Sequence, residues 1–123
     1  MSEYRETVLV VDDSRFLNDH IKRILENAEY QVVGQAIDGE DAVRKYQELL
    51  PDCVTLDIVM PKMDGIETLK QIKSLDPAAV VIMVSSAGTK EKVTEALLLG
   101  AKNFIVKPFK EEKVLEVVKT ALS

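Results

Sequence analysis

Five short apolar runs, each followed by a stretch whose apolar residues recur at helical spacing, constrain this 123-residue chain more than any other feature. The runs are Val8 to Val11, Gln31 to Ala36, Cys53 to Leu56, Val80 to Val84 and Phe104 to Val106. They are short and rich in valine and isoleucine, the pattern of strands buried on both faces. Between them, Leu17, Ile21, Ile24, Leu25 and Ala28 follow the amphipathic period of about 3.6, as do Ala42, Tyr46, Leu49 and Leu50. The pattern repeats in Ile66, Leu69, Ile72 and Leu75, in Val93, Ala96, Leu97 and Gly100, and in Val114, Leu115, Val118, Ala121 and Leu122. Strict alternation of strand and helix predicts parallel strands joined by right-handed crossovers, with helices on both faces of one sheet. The expected fold is therefore a doubly wound, five-stranded α/β domain, (βα)5. Asp38-Gly39, Pro51-Asp52, Asp64-Gly65 and Gly100 punctuate the elements where turns are needed.

Composition narrows the function classes. With 46% hydrophobic residues the chain can build one core. Its net charge of -5 offers no basic footprint for a nucleic-acid backbone. The single cysteine, Cys53, cannot pair internally and lies in an apolar run, where a small buried hydrophobe is the ordinary role. Met1 to Thr7 is polar and charged, unlike a secretory signal, and no segment approaches the length of a membrane span. A cytoplasmic location is expected. The fifth amphipathic stretch runs to the end of the chain, so residues 1–123 are read as one domain without an attached output domain.

Ligands of open parallel sheets bind beyond the carboxyl ends of the strands, where strand order reverses. The first run leads into Asp12 and Asp13, and the third into Asp57. Singly, each has a plain explanation: Asp13 before Ser14, for example, is placed to cap a helix. Together, three carboxylates in one crevice repel one another unless a cation compensates, and oxygen ligands of this kind select Mg²⁺ or a similar hard ion. The fourth run ends at Ser85, a hydroxyl, and the fifth at Lys107-Pro108, a long-armed cation before a proline that is able to take the cis form. Alone, Ser85 reads as a helix cap and Lys107 as a solvated surface lysine. Jointly they supply what a phosphoryl site needs, with Asp57 as nucleophile and catalysis resting on positioning and charge neutralisation.

At these residues the sequence resembles the receiver domain of bacterial two-component response regulators, in particular the single-domain CheY-like proteins. The carriers are Val10-Val11-Asp12-Asp13-Ser14, Leu56-Asp57-Ile58-Val59-Met60-Pro61, Met63-Asp64-Gly65, Val84-Ser85-Ser86-Ala87 and Val106-Lys107-Pro108-Phe109. The resemblance implies the flavodoxin-like strand order 2-1-3-4-5. It implies a stand-alone response regulator whose Asp57 accepts a phosphoryl group from a histidine kinase, a signalling protein that catalyses its own phosphorylation and dephosphorylation. It also implies Mg²⁺ bound by Asp13 and Asp57, with Asp12 assisting through water and the Val59 carbonyl completing the protein ligands. Ser85 and Phe104 would form the switch, the hydroxyl moving toward the phosphoryl group and the aromatic turning inward. The switched surface, made by the fourth helix, fifth strand and fifth helix, would control binding of a downstream protein, chemotaxis being one such pathway, as a monomer or as a dimer formed on activation. Phe104 departs from the tyrosine frequent at this position, which favours the buried rotamer and removes a hydroxyl from partner contacts.

Leu98, Leu99 and Val117 flank the last helical stripes and read either as a broader core face or as part of that binding surface. His20 stands among polar residues and reads as solvated. Three other functions compete. A haloacid-dehalogenase-like phosphatase needs a second acidic residue two positions after its nucleophile, where Ser14 stands after Asp12. A flavin binder needs an anion cradle after the first strand, where Asp12 and Asp13 would repel the phosphate. A degenerate receiver would lack an active-site residue, and none of the expected set is missing.

Overall fold

In the computed structural model, which describes residues 4–123, the five apolar runs pair side by side in one sheet. The first residues of the polar N-terminal stretch, Met1 to Glu3, lie outside the described residues. The strands are β1 (Thr7–Val11), β2 (Gln31–Ala36), β3 (Cys53–Leu56), β4 (Val81–Ser85) and β5 (Asn103–Val106). They alternate with α1 (Arg15–Asn27), α2 (Gly39–Leu49), α3 (Gly65–Leu75), α4 (Lys90–Leu98) and α5 (Glu111–Leu122). All pairings are parallel and the order is β2-β1-β3-β4-β5, so β1 and β3, the strands that lead into the aspartates, are neighbours at the point of reversal.

Alternation along each strand divides the core in two. Leu9, Val11, Val54, Leu56, Val81, Met83 and Phe104 face Ala42 and Tyr46 of α2, Leu69 and Ile72 of α3, and Ala96 of α4. Val8, Val10, Cys53, Ile82, Val84 and Ile105 face Ile21, Ile24 and Leu25 of α1, and Val114, Val117 and Val118 of α5. A bulge in the β1–β2 ladder, where Leu9 pairs with Gly34 directly after Val8 pairs with Val32, re-aims the outer strand.

Side-chain caps start the helices: Ser14, Asp38, Asp64 and Thr89 each accept a hydrogen bond from the backbone N–H three residues on. The cap of α1 is thus Ser14 and not Asp13, and the cap of α4 is Thr89 and not Ser85. Gly100 takes a φ of 105° after α4, a conformation that glycine adopts freely. Helical spacing overstates burial at helix ends, because the stripe runs off the sheet: Leu49, Leu50, Leu75 and Leu97 are exposed. Among the described residues no helix is long and apolar enough to cross a membrane.

Candidate functional site

The site begins as a consequence of strand pairing. The Asp57 N–H donates to the Val11 carbonyl at 3.0 Å, which continues the β1–β3 ladder by one residue and sets Asp57 beside Asp12. The Asp12 N–H donates likewise to the Ala36 carbonyl of β2 at 3.1 Å. Carboxylate oxygens of Asp12, Asp13 and Asp57 consequently all lie within 4.8 Å of one another. Asp12 and Asp57 are buried, whereas Asp13 is exposed at the mouth.

Each buried carboxylate is oriented by the backbone. Asp12 Oδ1 accepts from the Ser14 N–H at 2.9 Å, and Asp57 Oδ1 accepts from the Ile58 N–H at 2.8 Å. Their other oxygens face Lys107. Its Nζ donates to Asp12 Oδ2 at 2.7 Å and stands 3.5 Å from Asp57 Oδ2, with only 13% of the side chain exposed. The expectation of a surface lysine is thereby excluded. Burial pushes the Asp12 carboxyl above its ordinary range; the hydrogen bonds from Lys107 and Ser14 oppose that shift without cancelling it, and Asp57 adds to it.

Ser85, at the end of β4, is fully buried, and its Oγ accepts from the Ala87 N–H at 3.2 Å. Its carbonyl accepts from the Lys107 N–H at 3.0 Å, so the β4 and β5 ends that carry Ser85 and Lys107 are tied together. The Lys107–Pro108 bond is cis. Phe104 lies inward, 9% exposed, in the core cluster that contains Met83 and Ala96. Val59 is 62% exposed beyond Asp57, which places the start of the β3–α3 loop at the surface.

That loop closes over Asp57 because residue 65 is a glycine. Its N–H donates to the Ile58 carbonyl at 2.7 Å, and a Cβ there would fall 1.9 Å from the Asp57 carbonyl oxygen. The backbone of α3 therefore approaches the nucleophile candidate more closely than any side chain permits.

Asn18 is a further residue of the site, one that the apolar pattern hides. It is 2% exposed and donates to the carbonyls of both Asp12 and Ala36. The signal for it was present, since Asn18 precedes Ile21 and Leu25 by three and seven positions and so shares their stripe. His20 is half-buried and stacked between Phe16 and Phe109, with ring centroids 6.3 and 6.0 Å away, in place of the solvated position expected. Val117 is buried and Leu99 half-buried, as a broader core face requires, but Leu98 is 82% exposed. Cys53 is buried, and burial pushes its thiol up to about 12, in keeping with a structural role.

A parallel sheet in this order, with an acidic crevice and a buried lysine at the carboxyl ends of its strands, defines a CheY-like α/β signalling fold. The chain belongs to the response regulator receiver domain family, whose description matches residues 8–119. It is similar to the chemotaxis protein CheY of Listeria monocytogenes, 49% identical over 114 residues that cover 93% of this chain and 96% of that one. It is also similar to protein CcdB of Bacillus subtilis, 53% identical over 111 residues, 90% of this chain and 92% of that one. Among solved structures it resembles the CheX-CheY-BeF3-Mg²⁺ complex of Borrelia burgdorferi, with a TM-score of 0.94 and 43% identity over 96% of this chain and 90% of that one.

Proposed function

We propose that this chain is a stand-alone response regulator whose Asp57 accepts a phosphoryl group from a histidine kinase in a Mg²⁺-dependent reaction. The observation that carries the reading is the joint placement of three carboxylates within 4.8 Å and the Lys107 ammonium between two of them. The donor set fits the metal: oxygen ligands only, two of them buried, in a crevice whose negative charge one lysine does not balance. Asp12, Asp13 and Asp57 would hold Mg²⁺ with the Val59 carbonyl, and the bound ion would neutralise charge on the phosphoryl oxygens.

The remaining work falls to the protein's own groups. An Asp57 carboxylate oxygen attacks phosphorus; the phosphorus–nitrogen bond of the donor phosphohistidine breaks and its electron pair returns to the imidazole. Asp57 becomes an acyl phosphate. Lys107 shifts its charge from Asp12 toward the new phosphoryl oxygens, and the Ser85 hydroxyl, released from the Ala87 N–H it accepts, donates to a phosphoryl oxygen. Phe104, expected to turn inward into the space that move leaves, is inward already, at 9% exposure. Hydrolysis by water releases inorganic phosphate and restores the carboxylate. The output surface is α4, β5 and α5, where Leu98 is 82%, Leu97 44% and Val106 50% exposed. Chemotaxis is the pathway favoured by the likeness to CheY proteins, and the acyl phosphate controls a downstream protein there, with this chain acting as a monomer or as a dimer formed on activation.

Intact-mass spectrometry after incubation with acetyl phosphate tests the chemistry. One phosphoryl addition is expected, dependent on Mg²⁺, sensitive to hydroxylamine and absent from Asp57→Ala. No addition under any condition would leave a receiver fold that acts by binding alone.

A further inference from the structure

Asp13 is the most exposed of the three carboxylates, and among the described residues its side chain takes no hydrogen bond or ion pair. Its position is therefore set by the backbone, where the Ser14 N–H on one side donates to Asp12 Oδ1 and the other side is the Asp12–Asp13 peptide. The carbonyl of that peptide accepts from Asn18 Nδ2 at 3.0 Å. The same Nδ2 donates to the Ala36 carbonyl at 2.9 Å, the group that also receives the Asp12 N–H. One buried amide thus joins the end of β2 to the peptide that carries two of the metal-site residues.

The amide has only one workable orientation. Both partners of Nδ2 are carbonyls, which only accept, so Oδ1 must face the other way, where Gln35 Nε2 donates to it at 2.7 Å. Gln35 is oriented in turn because the same nitrogen donates to Asp19 Oδ1 at 2.9 Å. A directed chain runs from Asp19 through Gln35 and Asn18 to the Asp12 carbonyl. A cavity between α1, β2 and α2 opens alongside it, lined by Arg15, Asn18, Asp19 and Gln35 among others.

We infer that Asn18, held by Gln35, is a positioning residue for the cation site and sets the affinity of the crevice for a divalent metal by fixing the Asp12–Asp13 peptide. The inference rests on the proposed metal reading. Hydrogen-bond partners one step behind a ligand typically govern metal affinity by about 10- to 100-fold.

The test is a Mg²⁺ titration of the unphosphorylated protein, followed by backbone amide chemical shifts, on wild type, Asn18→Leu and Gln35→Leu. Leucine at 18 is the informative choice, because alanine would let water from the cavity restore the lost bonds. Asn18→Leu should weaken Mg²⁺ binding about tenfold and Gln35→Leu about threefold. Phosphorylation by acetyl phosphate should return toward the wild-type rate at saturating Mg²⁺. Thermal unfolding in EDTA separates the roles: a merely structural asparagine would lower the midpoint and leave the dissociation constant in place. Dissociation constants within twofold of wild type would overturn the inference. If Asn18→Leu does not fold, Gln35→Leu decides alone, since Gln35 is half-exposed. A wild type that takes up no Mg²⁺ removes the metal reading and this inference together, whereas a wild type that binds Mg²⁺ as tightly as its variants do removes only the inference.

Discussion

Replacing Gly65 by alanine should cost more than replacing any of the other four glycines. The added Cβ would sit 1.9 Å from the Asp57 carbonyl oxygen and 2.7 Å from the Ile58 Cα, while ordinary contact begins at 3.4 Å, so a gap of about 1.5 Å must open between two backbones. Neither can turn aside as a side chain does. Overpacking of this kind costs about 1–3 kcal/mol, and a separation of that size also breaks the 2.7 Å bond from Gly65 N–H to the Ile58 carbonyl, worth about 1 kcal/mol. Loss of glycine's freedom in the unfolded chain returns roughly 0.4–1 kcal/mol. The net expectation is a loss of about 2 kcal/mol, together with slower phosphorylation because the Asp57 backbone is what moves. Gly34→Ala is the control. Its Cβ would meet Leu49 Cδ1 at 2.7 Å, the tip of a side chain that is 40% exposed, and the buried Leu9 Cδ1 at 3.3 Å, a contact that a few tenths of an ångström relieve. Urea unfolding of both variants, with acetyl phosphate kinetics, reads the result: Gly34→Ala should stay within about 0.5 kcal/mol of wild type. A Gly65→Ala protein as stable as the Gly34 control, phosphorylated at the wild-type rate, would refute the reasoning.

The Thr55 hydroxyl is buried in mid-strand between Val10 and Ile82 and has no hydrogen-bond partner among the described residues; Thr55→Val should stabilise the protein by about 1 kcal/mol in urea unfolding. Because burial raises the Asp12 carboxyl above its ordinary 3.8, the fold favours the protonated form, and the stability this group contributes is complete below 3.8 and lost as pH rises through its folded value. Asp12→Asn should therefore be more stable than wild type at pH 7 in EDTA, and the difference should shrink on acidification; a difference that grows toward acid pH would contradict the sign. Leu98→Lys, at a position 82% exposed, should change stability by no more than about 0.5 kcal/mol and leave phosphorylation of Asp57 intact, while weakening capture of a downstream partner in pull-down from the source cells.

The sequence was most informative where chemistry and period coincide. Valine- and isoleucine-rich runs can be buried on two faces only in a sheet covered on both sides, as β1, β3 and β4 are, whereas the edge strand β2 is only half-buried; the strands formed within one residue of the runs read. The residues at the carboxyl ends of β1 and β3 had to converge once those strands were parallel neighbours, and the long arm of Lys107 reaches them from β5 across β4, which is why Asp12, Asp13, Asp57 and Lys107 were legible. What stayed hidden depends on direction and distance, which periodicity does not encode. Leu98 and Leu99 are adjacent in sequence, yet one points out and the other packs inward. Asn18 occupies an apolar stripe because two strand-end carbonyls need a donor there, a requirement that exists only after β1 and β2 have paired. Phe109 reaches His20 from the far end of the chain, so their stack has no local signature.

The placement of Lys107 also bears on how a small chemical change at Asp57 becomes a change of surface. One ammonium faces two buried carboxylates and sits 2.7 Å from Asp12 but 3.5 Å from Asp57. In the resting protein its stronger bond holds the β5 end to the β1 end. On the proposed reading, a phosphoryl group on Asp57 adds negative charge and reach on the weaker side, so the balance at Lys107 tips from Asp12 toward Asp57. The Lys107 N–H is bonded to the Ser85 carbonyl, and Ser85 pairs with Val106 in the sheet, so a pull at the lysine acts on β4 and β5 together. Phe104 lies two residues before Val106, on the core side of the same strand, and Leu98 lies on the helix that precedes it. On that same reading the exposed Leu98 side is connected to the charge balance through β4 and β5, and the partial neutralisation of three carboxylates by one lysine would leave that balance sensitive to a single phosphoryl group.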